Sequence, residues 1–463
     1  MATTIVAPLA EEREILMNQR KRFGDWPLRL LTAAVAAVVV LPVGLAAHAQ
    51  IRGRAQPVPE QPVTGWVRHN AATLSSIDPA AALDDLAPVG RSVGDAEIVG
   101  LGESMHGTAE ETRLKHRALR FLVERMGFRS IAWEEQWTTG PVVNEYIRFG
   151  QGDLDTVMAR LGPQWQTREV ADVLRWLRDF NAGRSDKVHF VGVEYYWTWL
   201  EAYDAVDAYV ARAAAQRLPE LRSHLGKIRP APGSTVLEHF QKYQAEPDKE
   251  PYIRQAHEVY DLVARLPHQP GDRAHALALH NARQIVSFYE HYNLSADDAL
   301  VYRDARAAEN LRWWREFSGD KIAYWAASPH TANAPQLRMG APGQTDKRFP
   351  SAGSYLRRWY GQKYRSIGFT FDHGTVNAFG TMTPMPPPAA DWFEQPLGRV
   401  GVGQFTLDLH TAAPPPVRNW LDAPIKTRGL PDGGPDAFMD GGTLRQWFDV
   451  IVHRQEVTPA QPA

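Results

Sequence analysis

IVGLGESMHGTAEE (Ile98–Glu111) is an apolar run of strand length that ends on a glutamate, turns through a histidine and a glycine, and opens into a helix. A chain reversal serving only structure needs neither Glu103 nor His106, and a carboxylate at the end of an apolar strand is costly unless it is used. The helix that follows, AEETRLKHRALRFLVERM, puts Leu114, Ala118, Phe121 and Leu122 on one face. Thr108 and Glu111 have the spacing of a capping box, with Thr108 as N-cap and Glu111 at the third helical position. That assigns Glu110 and Glu111 to structure rather than chemistry.

Moving outward, the strand-then-helix pattern recurs. Strand-like runs are AEIVGLGE (Ala96–Glu103), RSIAWEE (Arg129–Glu135), KVHFVGVE (Lys187–Glu194), KIAYWAAS (Lys321–Ser328) and YRSIGFTF (Tyr364–Phe371), then GQFTLDL (Gly403–Leu409) and FDVIVH (Phe448–His453). Near-continuous apolar strands separated by helical patterns predict an α/β fold with a largely parallel central sheet flanked by helices. Between about 196 and 310 the spacing is helical throughout, as in RQAHEVYDLVARL (Arg254–Leu266), which predicts a helical insertion or subdomain over one end of the sheet. TPMPPPAADW, TAAPPPVRNW and LPDGGPDAFMDGG read as long ordered loops or lids, the first two carrying Trp392 and Trp420 into an apolar cleft.

Ligands of open α/β sheets bind beyond the carboxyl ends of the strands. Four strands here end in polar residues: Glu103; Glu134 with Glu135; Glu194; and Ser328, followed by His330. His106 lies just before a helix, where the N-terminal dipole disfavours its protonation and leaves the neutral imidazole a general base needs. Arg303 and Asp304, on a helix before the fourth strand, fit a substrate contact or a simple ion pair, and Lys115 a helix surface or a cleft. Trp325 and the Trp313–Trp314 pair read as core. Two look-alikes fail: Gly100-x-Gly102 followed by Gly107 has the wrong spacing for a dinucleotide fingerprint, and GESMHG is not a nucleophile elbow.

Composition narrows the classes. The 463 residues carry 51 basic and 53 acidic side chains, net -2, so no charge excess calls for nucleic acid. With no cysteine, thiol nucleophiles, disulfides and thiolate metal sites are excluded. Residues 1–49 combine a basic stretch, an apolar run and Ala47-His48-Ala49. They read as a secretory signal peptide cut before Gln50, favoured over an uncleaved membrane anchor by that site and by the Pro42–Gly44 break. A Pro-rich linker (50–65), a globular α/β domain (66–455) and a tail (456–463) follow, outside the cytoplasm.

VGLGESMHGTAEETRLKHRALRFLVERMGF followed by IAWEE resembles the opening motif of the erythromycin esterase family, and YRDARAAENLRWW, YWAASPH, YLRRWYGQKYRSIGFTF and FDVIVHR follow in the family's order. The resemblance implies metal-independent hydrolysis of a macrocyclic lactone ester, conferring macrolide resistance in known members. It implies no cofactor, a small-molecule partner, a His106 that activates water, and Glu103, Glu134 and His330 in the catalytic set. It implies a cleft lined by a basic residue, usually Arg, where this chain has Lys115. Glu194, Arg303 and Asp304 complete the candidate substrate contacts. Members active on macrolides tend to read W-A-H-N-x-H where this chain reads Trp325-Ala326-Ala327-Ser328-Pro329-His330. The hydrolytic core therefore carries over further than erythromycin as substrate does. Two rivals stay open: a metal-dependent hydrolase built on Glu103, His106, Glu134, Glu194 and His330, and a secreted binding protein that has lost catalysis.

Overall fold

A computed structural model describes residues 60–429 and 433–463. The expected signal segment and most of the linker lie outside the described residues. The central sheet runs β1 (Ala72–Thr73), β10 (Gln404–Asp408), β13 (Val450–Val457), β8 (Tyr364–Ala378), β2 (Ile98–Glu103), β5 (Lys321–Ala327), β3 (Phe128–Gln136), β4 (His189–Glu194), with β9 (Thr381–Met385) paired to the far part of β8. From β13 to β4 every pairing is parallel, whereas β1, β9 and β10 pair antiparallel at the margins. The chain is therefore mixed α/β with a central sheet flanked by many helices.

The apolar runs explain the middle of the sheet: every residue of β2 is buried, as a strand covered on both faces requires. Trp133 and Trp325, register partners on β3 and β5, stack at 4.4 Å and 11°. The helix Ala109–Met126 buries Leu114, Ala118, Leu119, Leu122 and Val123 and stops at Gly127, whose φ of 76° is the left-handed conformation that ends helices. The winding reverses between β5 and β8, which lie on opposite sides of β2. The crevice beyond the carboxyl ends of β2 and β5 is thus a topological switch point.

Helices fill the chain from Leu200 to Ser318 and pack round a core of their own that includes Tyr203, Val206, Leu221, Ile285 and Tyr289. Among the described residues no helix is long and apolar enough to cross a membrane.

Three boundaries differ from the sequence expectation. A helix, Glu60–Asn70, begins inside the stretch assigned to linker, because Pro62 falls in the first turn, where a missing N–H costs nothing. The proline- and glycine-rich segments are not lids. They contribute to β9, to the short helix Pro415–Leu421 and to β12 (Phe438–Thr443); β12, with the neighbouring β11 (Pro424–Arg428), joins β6 (Leu337–Gly340) and β7 (Lys347–Phe349) in a second, antiparallel sheet. Trp392 is buried, and Trp420 packs on the apolar cluster of this second sheet. The tail is anchored: Pro459 bridges Thr108, Pro462 bridges Thr167, and Glu110 accepts hydrogen bonds from the Thr458 backbone and hydroxyl.

Candidate active site

β2 ends at Glu103, and three residues later His106 turns back over it. The turn needs Gly107: its φ is 83°, and a Cβ there would collide with the Asn377 carbonyl, while the Asn377 N–H donates to the Gly107 carbonyl at 3.0 Å. His106 Nδ1 lies 2.8 Å from Glu103 Oε1. An ionised carboxylate can only accept, so this contact puts the ring proton on Nδ1 and leaves the Nε2 lone pair free. Nε2 is 3.9 Å from Glu134 Oε2, too far for a direct hydrogen bond. Burial holds His106 below the ordinary histidine value, and the positive charges of His330 and Arg303 push the same way against Glu134. The edge of Trp165 packs on the imidazole at 4.7 Å, and its indole N–H donates to the Glu134 carbonyl.

Lys115 comes from the second turn of the helix Ala109–Met126 and points inward. It is 1% exposed, pairs with Glu103 Oε2, donates to the Ala326 carbonyl at 3.3 Å and lies 4.3 Å from the Trp325 ring centre. The expected substrate contact is corrected: a lysine this deep orients Glu103, and it sits over Trp325, which is buried in the central core as expected.

Glu134 is the hub of the second half. One oxygen takes His330 Nε2 at 3.2 Å and an Arg303 guanidinium nitrogen at 2.8 Å; the other accepts the Ala327 N–H at 2.9 Å. Arg303 also binds Glu194 at 2.7 Å, and His330 Nδ1 lies 3.0 Å from Asp304. Acid and base alternate along Glu194–Arg303–Glu134–His330–Asp304. Arg303 and Asp304 are therefore not each other's partners, although they are neighbours on one helix. Glu194 and Asp304, expected at the substrate, are 1% and 0% exposed and hold Arg303 and His330 instead.

Burial works against a charge on His330, but Asp304 and Glu134 push it up to about 10, so it is an imidazolium at neutral pH. Burial likewise raises Glu134, yet the cationic His330 and Arg303 beside it outweigh this and hold the carboxyl well below the ordinary range. The site thus pairs a neutral histidine with a cationic one, the separation of titrating groups that acid–base chemistry uses.

Two further acids, Glu111 and Glu135, are buried beside the site. Thr108 makes no side-chain bond to the helix backbone, so the expected capping box is absent. Glu111 instead accepts from the Ser104 hydroxyl at 2.8 Å and the Thr108 hydroxyl at 2.9 Å, gripping both flanks of the His106 turn. Glu135 accepts the Gly162 and Gln136 N–H groups at 2.6 and 2.7 Å, fixing the loop that carries Trp165. Burial raises each to about 7 from 4.5. The unfolded chain loses these protons near pH 4.5 and the folded one near 7, so each acid erodes stability as pH rises through that window, by up to about 3 kcal/mol. Glu111→Gln should therefore gain stability relative to the parent between pH 5 and pH 8, measured by urea unfolding at both. A constant difference would mean that Glu111 ionises freely in the fold.

The acids and histidines weighed above as metal ligands are engaged with one another and with Lys115, Arg303 and Asp304. Among the described residues no three His, Cys, Asp or Glu side chains are grouped to hold an ion.

A model of the erythromycin esterase family matches residues 123–457. Erythromycin esterase type II of Escherichia coli is 31% identical over 129 residues, which is 28% of this chain and 30% of that relative's length. Among solved structures, a Bacillus cereus protein superposes with TM-score 0.76 at 25% identity, over 88% of this chain and 100% of its own. A succinoglycan biosynthesis protein gives 0.74 at 24% identity over 89% and 100%. An erythromycin esterase mutant in an open conformation gives 0.67 at 18% over 84% and 98%. The last two share the fold.

Proposed function

The chain belongs to the erythromycin esterase family, and from that membership we propose that it is an extracytoplasmic hydrolase that cleaves an ester or lactone bond in a small, largely apolar molecule by histidine-activated water, without a metal. The observation that carries this reading is His106: held neutral by burial, fixed at Nδ1 by Glu103, and left with a free Nε2 beside cationic groups.

In the proposed reaction Nε2 takes a proton from water as the oxygen adds to the ester carbonyl. Glu103 stabilises the imidazolium that forms, and Lys115 holds Glu103 in place. The charges of His330 and Arg303 favour the tetrahedral oxyanion. On collapse the C–O bond to the alcohol breaks and Nε2–H returns the proton to the departing alkoxide. The products are an acid and an alcohol, or for a lactone one opened chain heavier by a single water.

The test is mass spectrometry of residues 50–463 incubated with macrolides, simple lactones and aryl esters. A product heavier by one water, or the corresponding acid and alcohol, is expected. No product across the panel overturns the esterase reading in favour of a binding protein. Secretion rests on the N-terminal pattern and is tested by the N-terminus of protein recovered from outside the cytoplasm.

The pH dependence follows from the two histidines. Activity should rise as His106 loses its proton, below the usual pH of 6.5, stay level through neutrality, and fall near pH 10 as His330 loses its charge. A kcat/KM profile measured from pH 4 to 11 checks this, and an alkaline limb near 7 would remove His330 from the role.

A further inference from the structure

β8 and β9 form a hairpin whose two-residue turn is Phe379-Gly380, between the paired Ala378 and Thr381. Both turn residues have positive φ, 49° and 93°. This is the turn in which Asn-Gly or Asp-Gly is preferred, because side chains without a special fit to the left-handed region are strained there. Phe379 is the one non-glycine residue with positive φ among the described residues. It is also 60% exposed, more than any other large hydrophobic described. A turn serving only structure has no use for a strained aromatic held in water, and such strain clusters where function demands it.

The placement supplies the reason. The Phe379 ring lies 6.4 Å from His106, edge to face at 84°. The hairpin base is fixed to the turn that carries His106: Asn377 is bonded to Gly107, and Val376, Ala378 and Met385 share an apolar cluster with Met105. Met382, on the same hairpin, is 54% exposed. His106 thus has two aromatic neighbours, Trp165 packed beside it and Phe379 projecting from the hairpin tip.

We infer that Phe379 is a specificity-determining residue that packs on the apolar acyl or macrolactone portion of the substrate, so that esters with a large hydrocarbon part are preferred to small ones. This rests on the esterase reading. Ester hydrolysis itself needs no hydrocarbon contact, so the inference can fail while that reading stands.

The experiment compares kcat/KM for p-nitrophenyl octanoate and acetate in the parent and in Phe379→Asn. Asparagine suits the turn, so the variant removes the ring while relieving the backbone. The octanoate-to-acetate ratio should fall by about tenfold or more, mostly through KM, as expected when a buried aromatic contact is lost. An unchanged ratio overturns the inference, including the case in which both rates fall together. If the parent hydrolyses neither ester, the esterase reading is decided by the macrolide and lactone panel, and the apolar subsite is tested separately by titrating 1-octanol against tryptophan fluorescence, for which Trp165 beside His106 is a reporter. Weaker octanol binding in Phe379→Asn sustains the apolar subsite; equal binding removes it.

Discussion

His106→Ala is expected to lower kcat by about a thousandfold while leaving the fold intact. The ring takes part in the Glu103 contact and in packing against Trp165, but Glu103 keeps Lys115 when the ring is gone, so no buried carboxylate is stranded. The loss should therefore appear in kcat, with the unfolding midpoint within a few degrees of the parent's. Added imidazole should restore part of the rate, since the missing piece is a base and its space is left open. A drop of less than tenfold would pass the base role to Glu134.

Glu134 should be the most damaging acid to remove. Glu134→Ala takes one carboxylate from two buried cations and leaves the Ala327 N–H without its acceptor. Breaking a buried ion pair on one side costs about 3–5 kcal/mol. Here Glu194 and Asp304 still neutralise Arg303 and His330 in part, which points to the lower end. Glu134→Gln is the sharper probe, because it keeps an acceptor for Ala327 and deletes only the charge. His330 then loses one of its two anions, its pKa falls from about 10, and the alkaline limb of activity moves to lower pH. The stability His330 contributes, complete below pH 6.5 and lost as pH passes through about 10, should shrink in the same variant. A limb that stays in place would mean that another group sets it.

The parallel strands were legible because a strand buried on both faces announces itself as an unbroken apolar run, and an acid at its end stands out. β2, β3, β4 and β5 are of this kind. The second sheet was not legible: its strands are three to six residues long, exposed on one side and interrupted by proline and glycine, so the local signals say turn. Within the site, His106, Glu103, Glu134 and His330 could be singled out one at a time, but their partners could not. Arg303 and Glu134 are 169 positions apart, and nothing along the chain says that a helix in the all-helical region aims its arginine at the end of β3. Glu111 shows the opposite difficulty. Its spacing from Thr108 had a complete local meaning, and only the approach of Ser104 redirects it. Lys115 misleads because helix periodicity says which face is buried, not that a lysine will share it.

The anchored stretch after β13 bears on the order of synthesis. Ala460 donates its N–H to the Gly107 carbonyl, Pro459 bridges Thr108 and Pro462 bridges Thr167, so the turn bearing His106 is stitched to residues made some 350 positions later. A nascent chain of 450 residues already contains every group in the acid–base array and still lacks the stitch. The His106 turn should therefore gain its native anchoring only once the last residues of the sequence can pack against it.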